Sequence, residues 1–207
     1  LKALKLKGVF MTQPDHTFAT PGPAGLGALC VACFGFGAVF LGKVEVTGLP
    51  LLAAWLVGGG IVQYTVAVME LKDHNITGGN VFLFFCAFFM FGASLSVLSK
   101  FLMIKSGMTP HAVVEGWCWM AGAFFLTIVT PAYMKSTLLL FIVVVLLDIA
   151  LWFIFLLDMG IVSAAVKPVI GWTLITAGFV AVYIIGAIVN NSVFNKSVLP
   201  LPGAIVK

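Results

Sequence analysis

At 207 residues, 62% hydrophobic and 9% charged, with a mean hydropathy of +1.18, the chain is far more apolar than a soluble domain of average composition. That composition excludes a water-soluble enzyme domain. A net charge of +4 with no clustered basic face likewise argues against a nucleic-acid partner.

The opening segment LKALKLKGVF is short and basic, and no cleavable signal peptide follows from it. It reads as tag-derived or pre-start sequence, with Met11 the biological start, and residues 1–20 read as an N-terminal tail. Six apolar runs follow, at 26–41, 49–69, 81–99, 112–134, 137–157 and 168–189. Most are close to the ~20 residues that span a bilayer core. They are too long and too uniformly apolar for barrel strands, so the expected fold is all-α, a polytopic membrane domain of six helices over residues 21–192, with 193–207 as a C-terminal tail. The connections are short, and membrane lipid is the implied surrounding partner.

TPGPAGLGAL, Thr20 to Leu29, leads into the first run with two prolines and three glycines. Proline suits the first turn of a helix, where its missing N–H has no intrahelical partner. Such a start also turns free N–H groups and the positive helix end toward an anion in a membrane cavity. An ordinary proline-started helix at the membrane surface is the alternative. Further along, WLVGGGIVQ sets Gly58, Gly59 and Gly60 mid-helix, which permits close backbone approach or a bend, and Gly171 and Gly178 mark a small-residue face in the last helix. All four cysteines lie in apolar runs. The spacing of Cys30 and Cys33 occurs in redox and zinc motifs, but within a lipid-buried helix small packing residues is the simpler reading.

His16, His74 and His111 fall in the tail or loops, away from any position suited to haem ligation, and no nucleophile or phosphate-loop motif is present. No enzyme activity, metal or cofactor is implied. Asp148 in VVVLLDIALWF is the strongest isolated signal, because a carboxylate near the middle of an apolar run is costly. It reads equally as a proton relay or a helix-to-helix hydrogen bond. Glu70 and Glu115 sit at helix ends and read as interfacial carboxylates near lysine. Gln63, Tyr64, Ser94, Ser96, Thr127, Thr173, Thr176 and Tyr183 are neutral polar groups within the runs, an inventory suited to passage of a small, weakly held solute.

Several blocks, taken in order, resemble the acetate uptake transporters that include the bacterial succinate-acetate permeases. TPGPAGL at 20–26 is similar to the family's N-terminal signature Asn-Pro-Ala-Pro-Leu-Gly-Leu, keeping Pro21, Pro23, Gly25 and Leu26. GGIVQYTVAVME with Gln63 and Glu70, GNVF with Asn80, AFFMFG, GWTLITAGFVAVY and VFNKSVLP follow in the family's order. The resemblance implies a homohexamer whose protomers each carry a central pathway for acetate or a similar small carboxylate, in the cytoplasmic (inner) membrane. It places Thr20, Pro21, Pro23, Gly25, Leu26, Gln63 and Asn80 on that pathway. It puts a constriction at Leu29, Phe91 and Ile149 or its neighbours. Asp148, by its depth in the fifth run and although the family more usually has a small or neutral residue there, and Glu70 are the candidates for proton coupling.

The sequence also departs from the family pattern. Leu29 and Phe91 stand where phenylalanine and tyrosine are common, Thr20 replaces the signature asparagine, Ile188 replaces a glutamate, and DHNITG lengthens a loop. Channel and proton-coupled carrier both remain open, as do a neutral-solute channel and a non-transporting membrane scaffold or subunit. With six spans both termini share a side. Lys2, Lys5, Lys7, Lys72, Lys135, Lys196 and Lys207 fall there against Lys43, Lys100, Lys105 and Lys167 opposite, which places the termini in the cytoplasm if the first three belong to the protein and leaves the two sides level if they are tag.

Overall fold

A computed structural model describes residues 19–206 of the protein. The lysines at 2, 5, 7 and 207, Met11 and His16 lie outside the described residues. Six helices make up the fold: α1 (Gly22–Phe40), α2 (Leu49–Lys72), α3 (Ile76–Lys105), α4 (Val113–Val129), α5 (Leu138–Asp158) and α6 (Lys167–Val193). A 3₁₀ turn, Thr130–Lys135, extends α4, and each of the six is long and apolar enough to cross a membrane.

The helix starts follow from local chemistry. Pro23, Pro50 and Pro168 lie in the first turns of α1, α2 and α6, where no backbone donor is lost. Thr137 caps α5 by accepting from Leu140 N–H at 3.3 Å. Asn75 caps α3, its Oδ1 accepting from Gly78 N–H at 3.0 Å, just after His74 turns the chain with φ of 60°. In mid-course α3 widens into a π-helical segment, Phe85–Gly92. Such segments change the rotational phase of a helix and recur at functional sites.

Successive helices run antiparallel, and α1 packs closely on α2 and α6 while α5 lies between α4 and α6. Glycine permits the closest of these approaches. A Cβ on Gly171 would lie 3.0 Å from the carbonyl oxygen of Gly37, and one on Gly37 would lie 3.1 Å from the carbonyl oxygen of Gly171. Of the mid-helix triplet in α2, Gly60 lies under the Phe91 ring and Gly59 against the Met90 sulfur, whereas nothing stands within 4 Å of a Cβ at Gly58. The Cys30 thiol donates to Gly178 carbonyl oxygen and that of Cys86 to Gly60 carbonyl oxygen, which ties α1 to α6 and α3 to α2.

The residues after α6 fold back onto the helix ends. Val198 and Leu199 N–H donate to Asn191 Oδ1, and Asn191 Nδ2 donates to the Leu199 carbonyl. Tyr183 O–H donates to the Pro200 carbonyl, and Ile205 and Val206 N–H donate to the Met134 carbonyl. Asn191→Ala removes three of these bonds at once. With ~0.5–1.5 kcal/mol net for each, limited proteolysis should cut after residue 195 at least several-fold faster in the variant, with the helical core intact.

Candidate solute pathway

Two cavities penetrate the bundle from opposite ends. The first, of about 420 Å³, is bounded by Val39 and Phe40 at the end of α1, Lys100 in α3, Glu115 at the start of α4, Asp158 at the end of α5 and Lys167 at the start of α6. The second, of about 590 Å³, is bounded by Thr20 and Pro21 at the start of α1, Glu70 at the end of α2, Tyr133 after α4, Thr137 before α5 and Ile188 near the end of α6. In an antiparallel bundle those two sets of helix ends lie on opposite faces. We refer to them as the lysine cavity and the glutamine cavity, after Lys100 and Gln63.

The side chains of Leu29, Phe85 and Leu147 line both cavities. They are 7%, 4% and 7% exposed, so they form a buried apolar neck between the two chambers. Their depths agree. At 1.5 Å per residue, positions seven residues into α1 and nine into α3 and α5 lie roughly 10–14 Å in from the same face. Phe85 is held by stacking on Phe89 with ring centroids 4.2 Å apart, and Phe89 meets Trp119 edge-on at 4.9 Å.

Of the three residues expected at a constriction, Leu29 lines both cavities, while Phe91 and Ile149 line neither. Phe91 packs on α2 at Gly60, because the π-helical turn shifts the phase of α3 between Phe85 and Phe91. Ile149 is 40% exposed, two residues and so about 200° around α5 from Leu147. Neither Phe85 nor Leu147 stands out in the sequence. Leu147 is among the neighbours allowed for Ile149, but Phe85 carries no signal beyond its apolar character.

The N-terminal signature is divided. Thr20, Pro21 and Leu26 line the glutamine cavity, with Gly22 beside them. Pro23 serves the first turn of α1, and Gly25 lets α1 close on Phe82 and Val66, since a Cβ there would meet the Phe82 ring at 2.6 Å. The first-turn donors do not point freely into the cavity. Ala24 and Gly25 N–H are taken by the Pro21 carbonyl and Gly22 N–H by Thr20 Oγ1. A carboxylate already faces this turn: Glu70 Oε1 lies 3.6 Å from the Cβ position of Gly22, while Asn75 Nδ2 donates to Glu70 Oε2.

Asn80 is exposed, donates to the Ile76 carbonyl of its own helix at 2.8 Å, and lines neither cavity. Asn75 and not Asn80 caps α3, because the helix begins at Ile76, five residues before the apolar run at 81. Gln63 is 1% exposed and lines the glutamine cavity. In the lysine cavity Glu115 accepts from Lys100 Nζ and Ser96 Oγ, each at 2.5 Å, in keeping with an interfacial carboxylate near lysine.

Asp148 lies outside both cavities. Its Oδ1 accepts from Thr127 at 3.2 Å and its Oδ2 from Thr130 at 2.5 Å, and Trp152 Nε1 donates in turn to Thr127. The carboxylate therefore joins α5 to α4 through two hydroxyls. Asp148→Leu, which takes the acceptor from Thr127 and leaves Thr130 only the Leu126 carbonyl at 2.9 Å, should cost about 1–3 kcal/mol and lower the thermal unfolding midpoint. Asp148→Asn keeps an acceptor and should leave solute flux within about twofold, since one such bond is worth ~1 kcal/mol or less when partly retained.

A family model described as the GPR1/FUN34/yaaH family matches residues 3–203. The chain belongs to the GPR1/FUN34/yaaH family. This is the acetate transporter family that its ordered motifs resemble. Among solved structures, the bacterial acetate channel SatP superposes with a TM-score of 0.76 at 24% identity, over 89% of this chain and 99% of that one. The likeness extends the six-helix fold to nearly the whole of that channel. Comparison with curated protein sequences gives no match.

Proposed function

We propose that the protein is a multi-pass protein of the cytoplasmic membrane that passes acetate and other small monocarboxylates through each protomer of a homohexamer, with its termini on the cytoplasmic side. One observation carries this reading: chambers entering from opposite ends of the bundle meet at a neck of Leu29, Phe85 and Leu147. A closed apolar neck rejects hydrated ions and admits a solute with one small apolar end and a weakly held polar head. Lys100 and Lys167 at one mouth offer ammonium groups that balance Glu115 and Asp158, so that a carboxylate meets no net repulsion there. Membership of the family and the fold shared with an acetate channel support the same substrate class.

The solute enters the lysine cavity, sheds water at the neck against Leu29, Phe85 and Leu147, and reaches the glutamine cavity, where hydroxyls of Thr20, Tyr133 and Thr137 rehydrate it; the reverse direction uses the same steps. Glu70 is the candidate for proton coupling, since it borders this path, whereas Asp148 is a structural tie. Uptake of labelled acetate into proteoliposomes with and without an inward proton gradient tests the reading. Measured above protein-free vesicles, a channel for the anion gives flux that follows only the acetate and electrical gradients, passage with a proton gives accumulation driven by the pH gradient, and a non-transporting scaffold adds nothing.

A further inference from the structure

The Gln63 amide is out of keeping with the apolar seam around it. Its Oε1 is a buried acceptor with no hydrogen-bond partner, on a side chain 1% exposed that borders the glutamine cavity. A buried carbonyl oxygen without a donor costs free energy in the resting fold, and buried polar groups in native proteins are otherwise nearly always paired. Glu70, two turns along the same face of α2, accepts from Asn75 at its Oε2 and does not reach back to the amide as a donor.

The charge around this cavity points the same way. Its titratable lining, among the described residues, is Glu70, Tyr133 and Asp73, the last engaged with a partner of its own. The lysine cavity, by contrast, has Lys100 and Lys167 to set against Glu115 and Asp158. A bare carboxylate offers acceptors only and would meet like charge here, whereas a carboxylic acid offers one O–H donor.

We infer that Gln63 is a specificity-determining residue whose Oε1 accepts a hydrogen bond from the O–H of the solute, so that this side of the neck takes the neutral acid in preference to its anion. The inference rests on the carboxylate pathway proposed above and names the form of the solute that the pathway accepts. The proton is the one the acid carries from the water of the cavity, so no protein group changes its charge in the step. Because the orphaned oxygen is satisfied only when a donor arrives, the site favours the acid and penalises analogues that lack a donor.

Trifluoroacetate is the probe, because its fluorines keep it ionised throughout the working pH range. Initial uptake of labelled acetate and of trifluoroacetate, the latter followed by fluorine NMR, is measured in proteoliposomes near neutral pH and corrected for protein-free vesicles. The intact protein should favour acetate by about tenfold or more, the scale of one unmade buried hydrogen bond. Gln63→Met keeps the volume but not the acceptor, so any discrimination by size survives while that by the donor is lost. Its acetate-to-trifluoroacetate ratio should fall several-fold, chiefly through slower acetate.

An unchanged ratio in Gln63→Met overturns the inference, and so does a rise in the ratio, which would mean that the amide nitrogen faces the solute and binds the anion. If Gln63→Met does not reconstitute, the intact protein decides the matter under an imposed membrane potential. Passage as the neutral acid gives acetate flux independent of potential, and flux that follows the potential contradicts it. Absence of any protein-dependent acetate flux would instead remove the pathway itself, a result distinguishable from both.

Discussion

Leu29→Trp should reduce protein-dependent acetate flux to the level of protein-free vesicles. Among the described residues, Leu29 is one of three side chains that border both cavities. An indole at this position needs space, which the cavities on either side provide, so the cost to folding stays within the ~1–3 kcal/mol typical of overpacking. The ring then fills the gap between Phe85 and Leu147. Monodisperse elution of the variant at the position of the intact protein, together with lost flux, is the expected result. Undiminished flux would mean that solute passes elsewhere.

Gly171→Val should have the opposite character, loss of the fold and not only of flux. A Cβ on Gly171 would meet Leu41 Cγ at 2.6 Å and, more importantly, the Gly37 carbonyl oxygen at 3.0 Å. A leucine side chain can swing aside, but the backbone of α1 can yield only by moving away from α6, its most extensive packing partner. Close backbone approach through small residues is a principal source of helix association in membranes, where apolar burial gives little drive. The cost should lie at or above the upper end of the ~1–3 kcal/mol range for overpacking. Gly58→Ala is the control, because its added methyl group meets nothing within 4 Å. Comparison of yield and thermal midpoint should separate the two variants clearly, and equal behaviour would contradict the packing described.

How much of this was legible in the sequence depends on what each feature requires. The six spans, the proline-marked starts of α1, α2 and α6 and the division of lysines between the two ends follow from composition and one-dimensional order. Thr20, Pro21, Leu26, Gln63 and Glu70, which the motifs single out, line one cavity. What failed depends on rotational phase. Phe91 lies on an apolar helix as plausible as Phe85 until the π-helical segment turns it toward Gly60. Ile149 and Leu147 differ only in which side of α5 they occupy, and a uniformly apolar helix has no amphipathic stripe to show it.

Other differences came from local competition for hydrogen bonds. Asn80 and Asn75 are equally able to cap, and the choice is set by where the chain turns at His74. The start of α1 looked like an open anion site, yet Thr20 Oγ1 and the Pro21 carbonyl accept from its donors and Glu70 already faces them. Asp148, conspicuous in the sequence, owes its tolerance to Thr127 and Thr130 on the adjoining helix, residues far from it in the chain. The lone acceptor of Gln63 is the reverse case: ordinary in sequence, and conspicuous only once its surroundings are known.

The central claim, that Leu29, Phe85 and Leu147 form the neck of a carboxylate pathway, is tested most directly by comparing protein-dependent uptake of acetate and butyrate in proteoliposomes of the intact protein and of Leu147→Ala. The intact protein should pass acetate much faster than butyrate, and Leu147→Ala should narrow that difference by accelerating butyrate. No acetate flux above protein-free vesicles, or a chain-length preference that Leu147→Ala leaves unchanged, would contradict the account.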